Sequence, residues 1–477
     1  MRRGTFLKAS TGAMAVAALP ALSARARASD VLDFSLSAAP RSFSPVPGLE
    51  FAGLAYNGTI PGPLLRVMHG QRVRIRYRNL TDGPTTVHWH GQIIPNAMDG
   101  AMGLTQPPVL PGREFLYEYA PNPPGTRWYH DHAMHLAITR GLFGMFVIDD
   151  PREEPADAEF ALVFHDVPRM STIEAAMSGT SNAPMTDPIG SPEMLAMKPQ
   201  DRMGDEVAYV AHCINGASYP NTQKLAVKIG QRVRLRLLNA NPTQTRYVRL
   251  AAHRLTVTHT DGNRLQKPLE VDALRMGVGE RYDAWFEVTQ EGAWLLQGLS
   301  SDPLAYEQAA VVHTPGMENA SPQSSPQSLD GVDYFTYEKA AGVSPPGVRP
   351  PASNAHQLTL GGGKYASDRW TINGKTWPNT PKIFVAYGDD VIVRFKNTTD
   401  MDHPMHLHGH VFDVVEANGI AFQRPLPKDV SLVSANNGTA TWRFKATSPP
   451  GRWLLHCHND IHMMDGMMTE VDYRTVR

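Results

Sequence analysis

Three stretches of the chain alternate apolar residues with charged ones, the pattern of a β-strand with one face in a core and one in solvent. Before each stretch come an Asn-Gly turn, a spacer and a second glycine turn. The three copies occupy residues 57–76, 215–236 and 373–394. Their period of about 157 residues is far too long for a solenoid, so the pattern predicts three copies of one β-sandwich domain.

The predicted domain boundaries follow from these repeats and from one segment of biased composition. From Thr314 to Ser353 the chain is rich in proline, serine and glycine, which is typical of an outer connector. We therefore predict domain 1 at residues 29–152, domain 2 at 153–318, a linker at 319–353 and domain 3 at 354–477. The 39 glycines and 39 prolines agree with an all-β chain that has many turns.

Length and charge narrow the class of protein. A chain of 477 residues, of which 42% are hydrophobic, is long enough for about three folded domains. The formal net charge of −1 gives no sign of a nucleic acid or another polyanion as a partner. The sequence predicts no membrane span, and we expect a monomer.

The first 28 residues have the features of an export signal. Arg2-Arg3 precede an Ala-rich apolar run, and Ala26-Arg27-Ala28 offers a cleavage site before Ser29. The arginine pair looks like a twin-arginine signal, but it stands one residue further from Phe6-Leu7-Lys8 than usual, so the Sec route stays open. Either route predicts a periplasmic or other extracytoplasmic location.

The C-terminal region carries a metal-binding pattern, His456-Cys457-His458, followed by His462 and Met467. A Cys thiolate, a histidine and a weak axial Met are three of the four groups of a blue-copper site. In a strand, Cys457 faces one way while His456 and His458 face the other. This tripeptide therefore predicts two metal centres joined by a short covalent path.

Further histidine pairs supply ligands for the second centre. They are His88 and His90, His130 and His132, and the set His403, His406 and His408. With the C-terminal histidines these groups make four clusters. A single His-x-His pair is more often structural than metal-binding, but four clusters with metal-ligand spacing have no packing rationale.

With these motifs the chain resembles the laccase-like multicopper oxidases over its whole mature length. The resemblance implies three consecutive cupredoxin-like Greek-key β-sandwich domains and four copper ions. It implies a type 1 copper at His403, Cys457 and His462, with Met467 as the axial ligand. It assigns the remaining histidines to a type 2 copper at His88 and His406 and a type 3 pair at His90, His130, His132, His408, His456 and His458.

The middle repeat departs from the outer two at the ligand position. Domain 2 has Gln297 where domain 1 has His130 and domain 3 has His456. We therefore expect the cluster of histidines at the interface of domains 1 and 3, with domain 2 as a spacer. Cys213 has no cysteine partner if Cys457 binds copper, so we expect a small buried side chain and no disulfide.

The resemblance implies a reaction in which a donor gives up one electron at a time and dioxygen is reduced by four electrons to water. Asp99 and Asp460 match the family's acidic residues near the cluster, although Asp99 before Gly100 also fits a turn. With Met467 as the axial ligand, we expect the type 1 copper to have a low-to-middle reduction potential.

The donor is left open between two classes of substrate. A phenol or aromatic amine is expected of a laccase-like enzyme, and a cuprous or other metal ion is expected of an oxidase acting in copper tolerance. Six methionines between Met170 and Met203 fit either a cuprous-ion entry site or a loop that fills gaps at a surface.

Overall fold

The computed structural model describes residues 31–133, 136–168, 209–300, 307–344, 354–363 and 369–473. The predicted export signal at 1–28 and the methionine-containing segment from Met170 to Met203 lie outside the described residues, as does most of the C-terminal part of the linker. The described residues are mostly β-strands in six sheets, which confirms the all-β class.

Domain 1 has eight strands in the described residues: β1 (Val31–Val46), β2 (Leu49–Tyr56), β3 (Leu65–Met68), β4 (Arg72–Asn79), β5 (His88–His90), β6 (Glu114–Tyr119), β7 (Gly125–His130) and β8 (Phe143–Asp149). They form two sheets with the strand orders β2-β1-β4-β6 and β3-β8-β7-β5. A 3₁₀ turn (Asn96–Met98) and the short helix α1 (Ala137–Arg140) connect these strands.

Domain 2 contributes β9 (Ala158–Pro168), β10 (Tyr209–Ile214), β11 (Leu225–Ala226), β12 (Arg232–Asn239), β13 (Arg246–Leu250), β14 (Leu255–Thr260), β15 (Asn263–Val271), β16 (Ala273–Met276), β17 (Arg281–Glu287), β18 (Ala293–Leu299), β19 (Ala309–His313) and β20 (Tyr334–Phe335). The strand orders are β10-β9-β12-β17-β14-β15 and β11-β19-β18-β13-β16-β20. Helix α2 (Tyr337–Ala341) follows in the segment predicted as the linker.

Domain 3 contributes β21 (Asn354–Gly361), β22 (Thr371–Ile372), β23 (Ile383–Val385), β24 (Asp390–Asn397), β25 (His403–Leu407), β26 (Phe412–Ala417), β27 (Ile420–Lys428), β28 (Val430–Val433), β29 (Thr439–Lys445), β30 (Arg452–Cys457) and β31 (Met468–Tyr473). The strand orders are β22-β21-β24-β29-β26-β27 and β23-β31-β30-β25-β28. Helix α3 (Asp460–Asp465) lies between β30 and β31.

One order of four strands recurs in all three domains, as β2-β1-β4-β6, β10-β9-β12-β17 and β22-β21-β24-β29, and domains 2 and 3 add two further strands to this sheet. In each, the first strand pairs in parallel with the strand that the alternating pattern predicted, as β1 with β4, β9 with β12 and β21 with β24. The Asn-Gly turns also repeat, because Asn57, Asn215 and Asn373 are all left-handed, with φ of 50°, 51° and 52°. The side-chain oxygen of each accepts a hydrogen bond from a backbone N–H of the first strand. The structure thus has three copies of one β-sandwich, while the exact domain boundaries stay a prediction.

The expected solvent face is wrong for the middle copy. In β4 the arginines are exposed or half-buried, but Arg234 and Arg236 of β12 are buried. Domain 1 covers this face of β12, and Arg236 bonds Thr126 and Asp283 there. The two arginines are held by ion pairs with Glu153, Glu159 and Asp283, which compensate for their loss of water.

Two smaller expectations concern membranes and cysteine. None of the helices in the described part of the chain is long and apolar enough to cross a membrane. Cys213 and Cys457 are both buried free thiols. Cys213 packs in an apolar cluster with Phe51 and Val167, and burial raises the pKa of its thiol to about 12. The prediction of a small buried side chain is confirmed.

Candidate metal centres

Two paired strands of domain 1 present histidines on one face. His88 lies opposite His130 and His90 lies opposite Trp128 in the pairing of β5 with β7. Trp89, between the two histidines, points the other way into the core of domain 1, where its ring contacts Tyr117 and Tyr129. Alternation along β5 therefore aims both of its imidazoles out of the domain core.

The equivalent strands of domain 3, β25 and β30, use both faces for ligands. Met405 lies opposite Cys457 and His406 lies opposite His456. Cys457 shares its face with His403, whereas His406 and His456 face the other way. Cys457 and His456 therefore lie on opposite faces of β30, the arrangement that the sequence-based prediction of two centres requires.

The first centre, called here the thiolate site, consists of His403, Cys457 and His462, all buried. Cys457 Sγ lies 3.7 Å from His403 Nδ1 and 3.5 Å from His462 Nδ1, and the two nitrogens are 3.0 Å apart. A hydrogen bond of 2.9 Å between His403 Nε2 and Thr399 Oγ1 leaves Nδ1 of that ring for the metal. The three donor atoms converge on one point, as a single ion requires.

Helix α3 brings His462 back to Cys457. The side chain of Asn459 caps the helix by accepting hydrogen bonds from the N–H groups of Ile461 and His462. The helix ends at Gly466, whose φ of 117° suits glycine and returns the chain toward β31. Met467 follows, fully buried, and its backbone oxygen accepts a hydrogen bond of 3.0 Å from the Cys457 N–H. Met467 therefore lies beside the thiolate site, as the proposed axial ligand must.

An aromatic ring covers the thiolate site. The Trp370 ring centroid lies 3.9 Å from that of His462 and 5.4 Å from that of His403. Trp370 is itself buried, so both imidazoles are shielded on that side. No sequence motif predicts this position of Trp370, because the residue is distant in the chain from every ligand motif.

The second centre, called here the histidine cluster, joins domains 1 and 3. It consists of His88, His90, His130, His132, His406, His408, His456 and His458. Across the interface, Nε2 of His88 lies 3.4 Å from Nε2 of His406, and Nε2 of His132 lies 3.4 Å from Nε2 of His456. The ring of His90 stacks on that of His406 with centroids 3.7 Å apart. The sequence predicts this position at the interface of domains 1 and 3, because domain 2 has Gln297 where the two outer domains have a histidine.

Oxygen atoms around the cluster fix which nitrogen of each ring faces inward. Nδ1 donates to a backbone oxygen in four rings, His88 to Asp99, His130 to Asp131, His406 to Asp429 and His456 to Cys457. Nε2 of those rings is then an unprotonated donor to a metal. Within the described residues, three buried ring nitrogens of the cluster have no hydrogen-bond partner, namely His90 Nδ1, His130 Nε2 and His458 Nε2. Unpartnered buried nitrogens of this kind fit bound metal ions.

Burial also keeps these rings in the metal-binding form. It lowers the pKa of His132 to about 3. It lowers the pKa of the following rings well below the usual value for histidine: His90, His130, His403, His406, His408, His456 and His458. Neighbouring imidazoles lower the pKa further, because a second positive charge nearby is unfavourable. Neutral imidazole is the form that binds copper.

The two predicted acids lie in different surroundings. Asp99 Oδ2 lies 2.9 Å from His408 Nδ1, and Asp99 Oδ1 lies 3.3 Å from His88 Nδ1. Asp460 is the first residue of α3, and its Oδ2 accepts a hydrogen bond of 2.6 Å from the hydroxyl of Thr139 in α1. Burial raises the pKa of Asp460 to about 6. Asp99 also ends the 3₁₀ turn before Gly100, so its turn position and its contact with the cluster occur together.

The sequence analysis missed the contacts that domain 2 makes with the cluster. The backbone of Gly279 packs on the ring of His458, since a Cβ there would lie 3.0 Å from that ring. Arg281 forms two hydrogen bonds of 2.6 Å with the carboxylate of Asp429, which in turn bonds His90. Domain 2 therefore contacts the cluster, a role that the prediction of a spacer did not include. No local signal marked Asp429, because a Lys-Asp pair between two strands is typical of an exposed turn, yet both residues are buried.

Family models give the same division of the chain. Three models described as multicopper oxidase match residues 40–153, 191–314 and 349–476. Their order follows the three β-sandwiches of the structure.

Individual relatives match along most of the chain. Multicopper oxidase MmcO of Mycobacterium tuberculosis is 34% identical over 88% of this chain and 83% of its own length. Laccase-4 of Thanatephorus cucumeris is 28% identical over 87% and 84%. A copper resistance protein A homolog of Pseudomonas syringae pv. tomato is 25% identical over 89% and 90%. The crystal structure of Fet3p, a multicopper oxidase that functions in iron import, shares the fold, with a TM-score of 0.78 and 19% identity over 93% of this chain and 90% of Fet3p.

The thiolate site predicts a colour test. The purified mature protein should hold about four copper ions and show a strong visible band from the Cys457 thiolate. Cys457→Ser should abolish that band, because a hydroxyl lacks the thiolate charge transfer, and should leave the type 2 signal in paramagnetic resonance. Cys213→Ser changes the only other cysteine and should stay blue. A Cys457→Ser protein that remains blue would refute the assignment.

The position of Met467 predicts a change in potential. Met467→Leu removes a weak donor, so a redox titration should show a higher potential for the type 1 copper. The same substitution at Met463, Met464 or Met468 should leave that potential nearly unchanged. A shift at one of these three positions in place of Met467 would mean that the axial ligand is misassigned.

Proposed function

The chain belongs to the multicopper oxidase family and is a copper-dependent oxidoreductase with dioxygen as its electron acceptor, and on that premise we propose that its donor is a phenol or an aromatic amine. The donor loses one electron at a time, and each dioxygen takes up four electrons and four protons to give two waters. The observation that most strongly supports this transfer of electrons to dioxygen is the placement of two ligand sets on opposite faces of β30, at Cys457 and at its two flanking histidines.

We assign four copper ions to the two centres. His403, Cys457 and His462 would hold a type 1 copper with Met467 as axial ligand. His88 and His406 would hold a type 2 copper, and the remaining six residues of the histidine cluster would hold a type 3 pair. The donor sets support this division, since a thiolate with imidazoles suits a blue copper and imidazole alone suits the other types. When bound, the copper ions supply the one-electron steps and the site at which dioxygen is reduced.

The protein's own residues connect the two centres. Cys457 is covalently joined to His456 and His458, so the path from thiolate to cluster runs through single peptide units. The His456 ring is fixed on this path, because Nδ1 bonds the Cys457 carbonyl at 2.8 Å. This hydrogen bond supports a role for β30 as the route of electrons between the centres.

Two carboxyl groups are proposed to move protons to the cluster. Asp99 contacts His88 and His408, which puts an exchangeable acid against two ligands of the cluster. Asp460 is buried two residues beyond His458 and is held by the Thr139 hydroxyl. Its raised pKa of about 6 suits a group that must carry a proton near neutral pH.

Metal ions form the second candidate class of donor. Trp370 lies over the imidazoles of the thiolate site. Its ring keeps a large aromatic donor from direct contact with His462 on that side, which favours a metal ion as the donor. A relative named copper resistance protein A homolog matches most of the chain, alongside a relative named laccase. The alternative is therefore a cuprous or other metal-ion oxidase in copper tolerance.

We also infer the setting in which the enzyme works. The predicted signal at residues 1–28 supports export to the periplasm or another extracytoplasmic space, by a twin-arginine-like route. The three-domain chain carries both outer domains that form the cluster, so a single copy has every proposed ligand, which supports a monomer.

Oxygen uptake distinguishes the two donor classes. With a phenol as sole donor, the copper-loaded enzyme should consume oxygen at a steady rate, and excess Cu(II) should change that rate little. A laccase-like role is contradicted if uptake with the phenol is negligible without Cu(II), or if a cuprous salt is oxidised much faster than the phenol. That outcome would establish the metal-ion class.

The proposed proton donors predict a split between two half-reactions. Asp460→Asn keeps the size of the side chain and an oxygen for the Thr139 hydroxyl but removes the acid. Reduction of the type 1 copper by donor should stay near wild type, whereas reoxidation by dioxygen should slow by roughly 10²-fold or more. Asp99→Asn should act in the same direction, since Asp99 contacts His88 and His408 of the cluster. Stopped-flow measurements of both steps test this.

A different result would contradict the role of Asp99 and Asp460 in proton transfer. If both variants reoxidise at the wild-type rate while their melting temperatures fall, then Asp99 and Asp460 are structural and the proton assignment is wrong.

A further inference from the structure

A buried carboxylate outside the proposed ligand set organises one side of the histidine cluster. Asp429 lies between β27 and β28, fully buried. Its Oδ1 accepts hydrogen bonds from His90 Nε2 at 3.0 Å and from Arg281 Nη1 at 2.6 Å. Its Oδ2 accepts from Arg281 Nη2 at 2.6 Å and from Arg127 Nη1 at 3.2 Å. The Arg281 guanidinium thus grips both oxygens of the carboxylate, which fixes its plane.

Asp429 sets the orientation of two rings of the cluster. Its carboxylate accepts a hydrogen bond from the Nε2–H of His90, while its backbone oxygen accepts a hydrogen bond of 2.7 Å from the Nδ1–H of His406. The two rings therefore present opposite nitrogens, Nδ1 of His90 and Nε2 of His406. Nδ1 of His90 is one of the three buried cluster nitrogens that have no partner within the described residues.

Asp429 could also be considered as a metal ligand, because its carboxylate lies within reach of His90 and His406. The surrounding charges argue against this. Two guanidinium groups, those of Arg127 and Arg281, point at the same carboxylate, and they would repel a cation placed there. The carboxylate accepts hydrogen bonds from Arg127, Arg281 and His90, and its bond with His90 orients that ring.

Arg281 comes from domain 2, which supplies none of the proposed copper ligands. Asp261 and Lys428 continue the ion-pair network behind it, and Lys428 Nζ lies 3.1 Å from Asp261 Oδ2. Gly91 packs directly on the pair, since a Cβ there would lie 2.4 Å from Asp429 Oδ2 and 2.6 Å from Arg281 Nη2. The contact therefore joins His90 of domain 1, Arg281 of domain 2 and Asp429 of domain 3.

We propose that Arg281 is a positioning residue of the copper cluster, which acts through Asp429 to hold the His90 ring with Nδ1 toward the copper. The proposal rests on the proposed function, because it requires that the histidine cluster hold copper. It gives domain 2 a part in the oxygen-reducing centre in addition to its place between domains 1 and 3.

Domain 2 contains a matched control for this arrangement. Arg246 Nη2 lies 2.5 Å from Asp166 Oδ2, and His212 Nδ1 lies 2.8 Å from Asp166 Oδ1. All three residues are buried, as are Arg281, Asp429 and His90. The Arg-Asp-His chemistry is the same, but His212 is not among the histidines of either centre. Substitution of Arg246 therefore measures the effect on the protein of breaking a buried Arg-Asp-His group that is not part of either metal centre.

The test compares Arg281→Met and Arg281→Lys with Arg246→Met and Arg246→Lys in copper-loaded full-length protein. The measured quantity is total copper divided by type 1 copper, with the type 1 copper taken from the blue absorption. Arg281→Met should lower this ratio by at least one copper, because the His90 ring is released. Arg281→Lys keeps the charge but reaches only one carboxylate oxygen, so the ratio should fall less. Both Arg246 variants should keep the wild-type ratio.

A kinetic readout accompanies the copper ratio. In the Arg281 variants, reoxidation by dioxygen should slow while reduction of the type 1 copper stays at the wild-type rate. The proposal is overturned if the Arg281 variants that fold keep the wild-type copper ratio and reoxidation rate, or if the Arg246 variants lose as much copper. If Arg281→Met does not fold, Arg281→Lys decides. A wild-type protein with no copper in the histidine cluster would instead contradict the proposed function.

Discussion

The alternation of side chains along β30 is the constraint on which the rest of the structure depends. Because successive residues of a strand point to opposite faces, Cys457 must face the inside of domain 3 while His456 must face outward. The inward face then needs His403 and His462 around one thiolate, and the outward face needs histidines from another domain. Domain 1 supplies these histidines from β5 and β7. Their imidazoles point out of the core of domain 1, while Trp89 and Tyr129 point into it.

Much of this arrangement could be predicted from the sequence, since it follows from period and spacing. The three Asn-Gly turns and their strands mark the repeats, and Gln297 marks the copy without a ligand at that position. For the ligands that lie on strands, the face follows from counting by two along the strand. The burial of Arg234 and Arg236 could not be predicted, because the same alternating pattern describes a strand that faces solvent and a strand that faces another domain through ion pairs.

The environment of Asp429 shows a second limit of sequence reasoning. Its partners Arg127, Arg281 and His90 are far apart in the chain. Arg127 and Arg281 belong to segments that read as ordinary strands, and the His-x-His pattern around His90 does not indicate a carboxylate partner. A buried charge is tolerated only with such partners, and breaking a buried pair by removing one partner costs about 3–5 kcal/mol. The three domains are thus held in register by charges as well as by apolar cores, and a shift of domain 2 would disturb His90 directly. The ligands of the thiolate site, in contrast, all come from domain 3, from β25, β30 and α3.

The most direct test of this account is the position of the copper ions themselves. An anomalous difference map from crystals of the copper-loaded protein, measured at the copper absorption edge, should show four peaks. One should lie among Cys457 Sγ, His403 Nδ1 and His462 Nδ1, and three should lie within the histidine cluster, with one of them bound by His90 Nδ1. A peak coordinated by the Asp429 carboxylate, or a single copper shared by Cys457 and His456, would contradict the division of ligands between the two faces of β30.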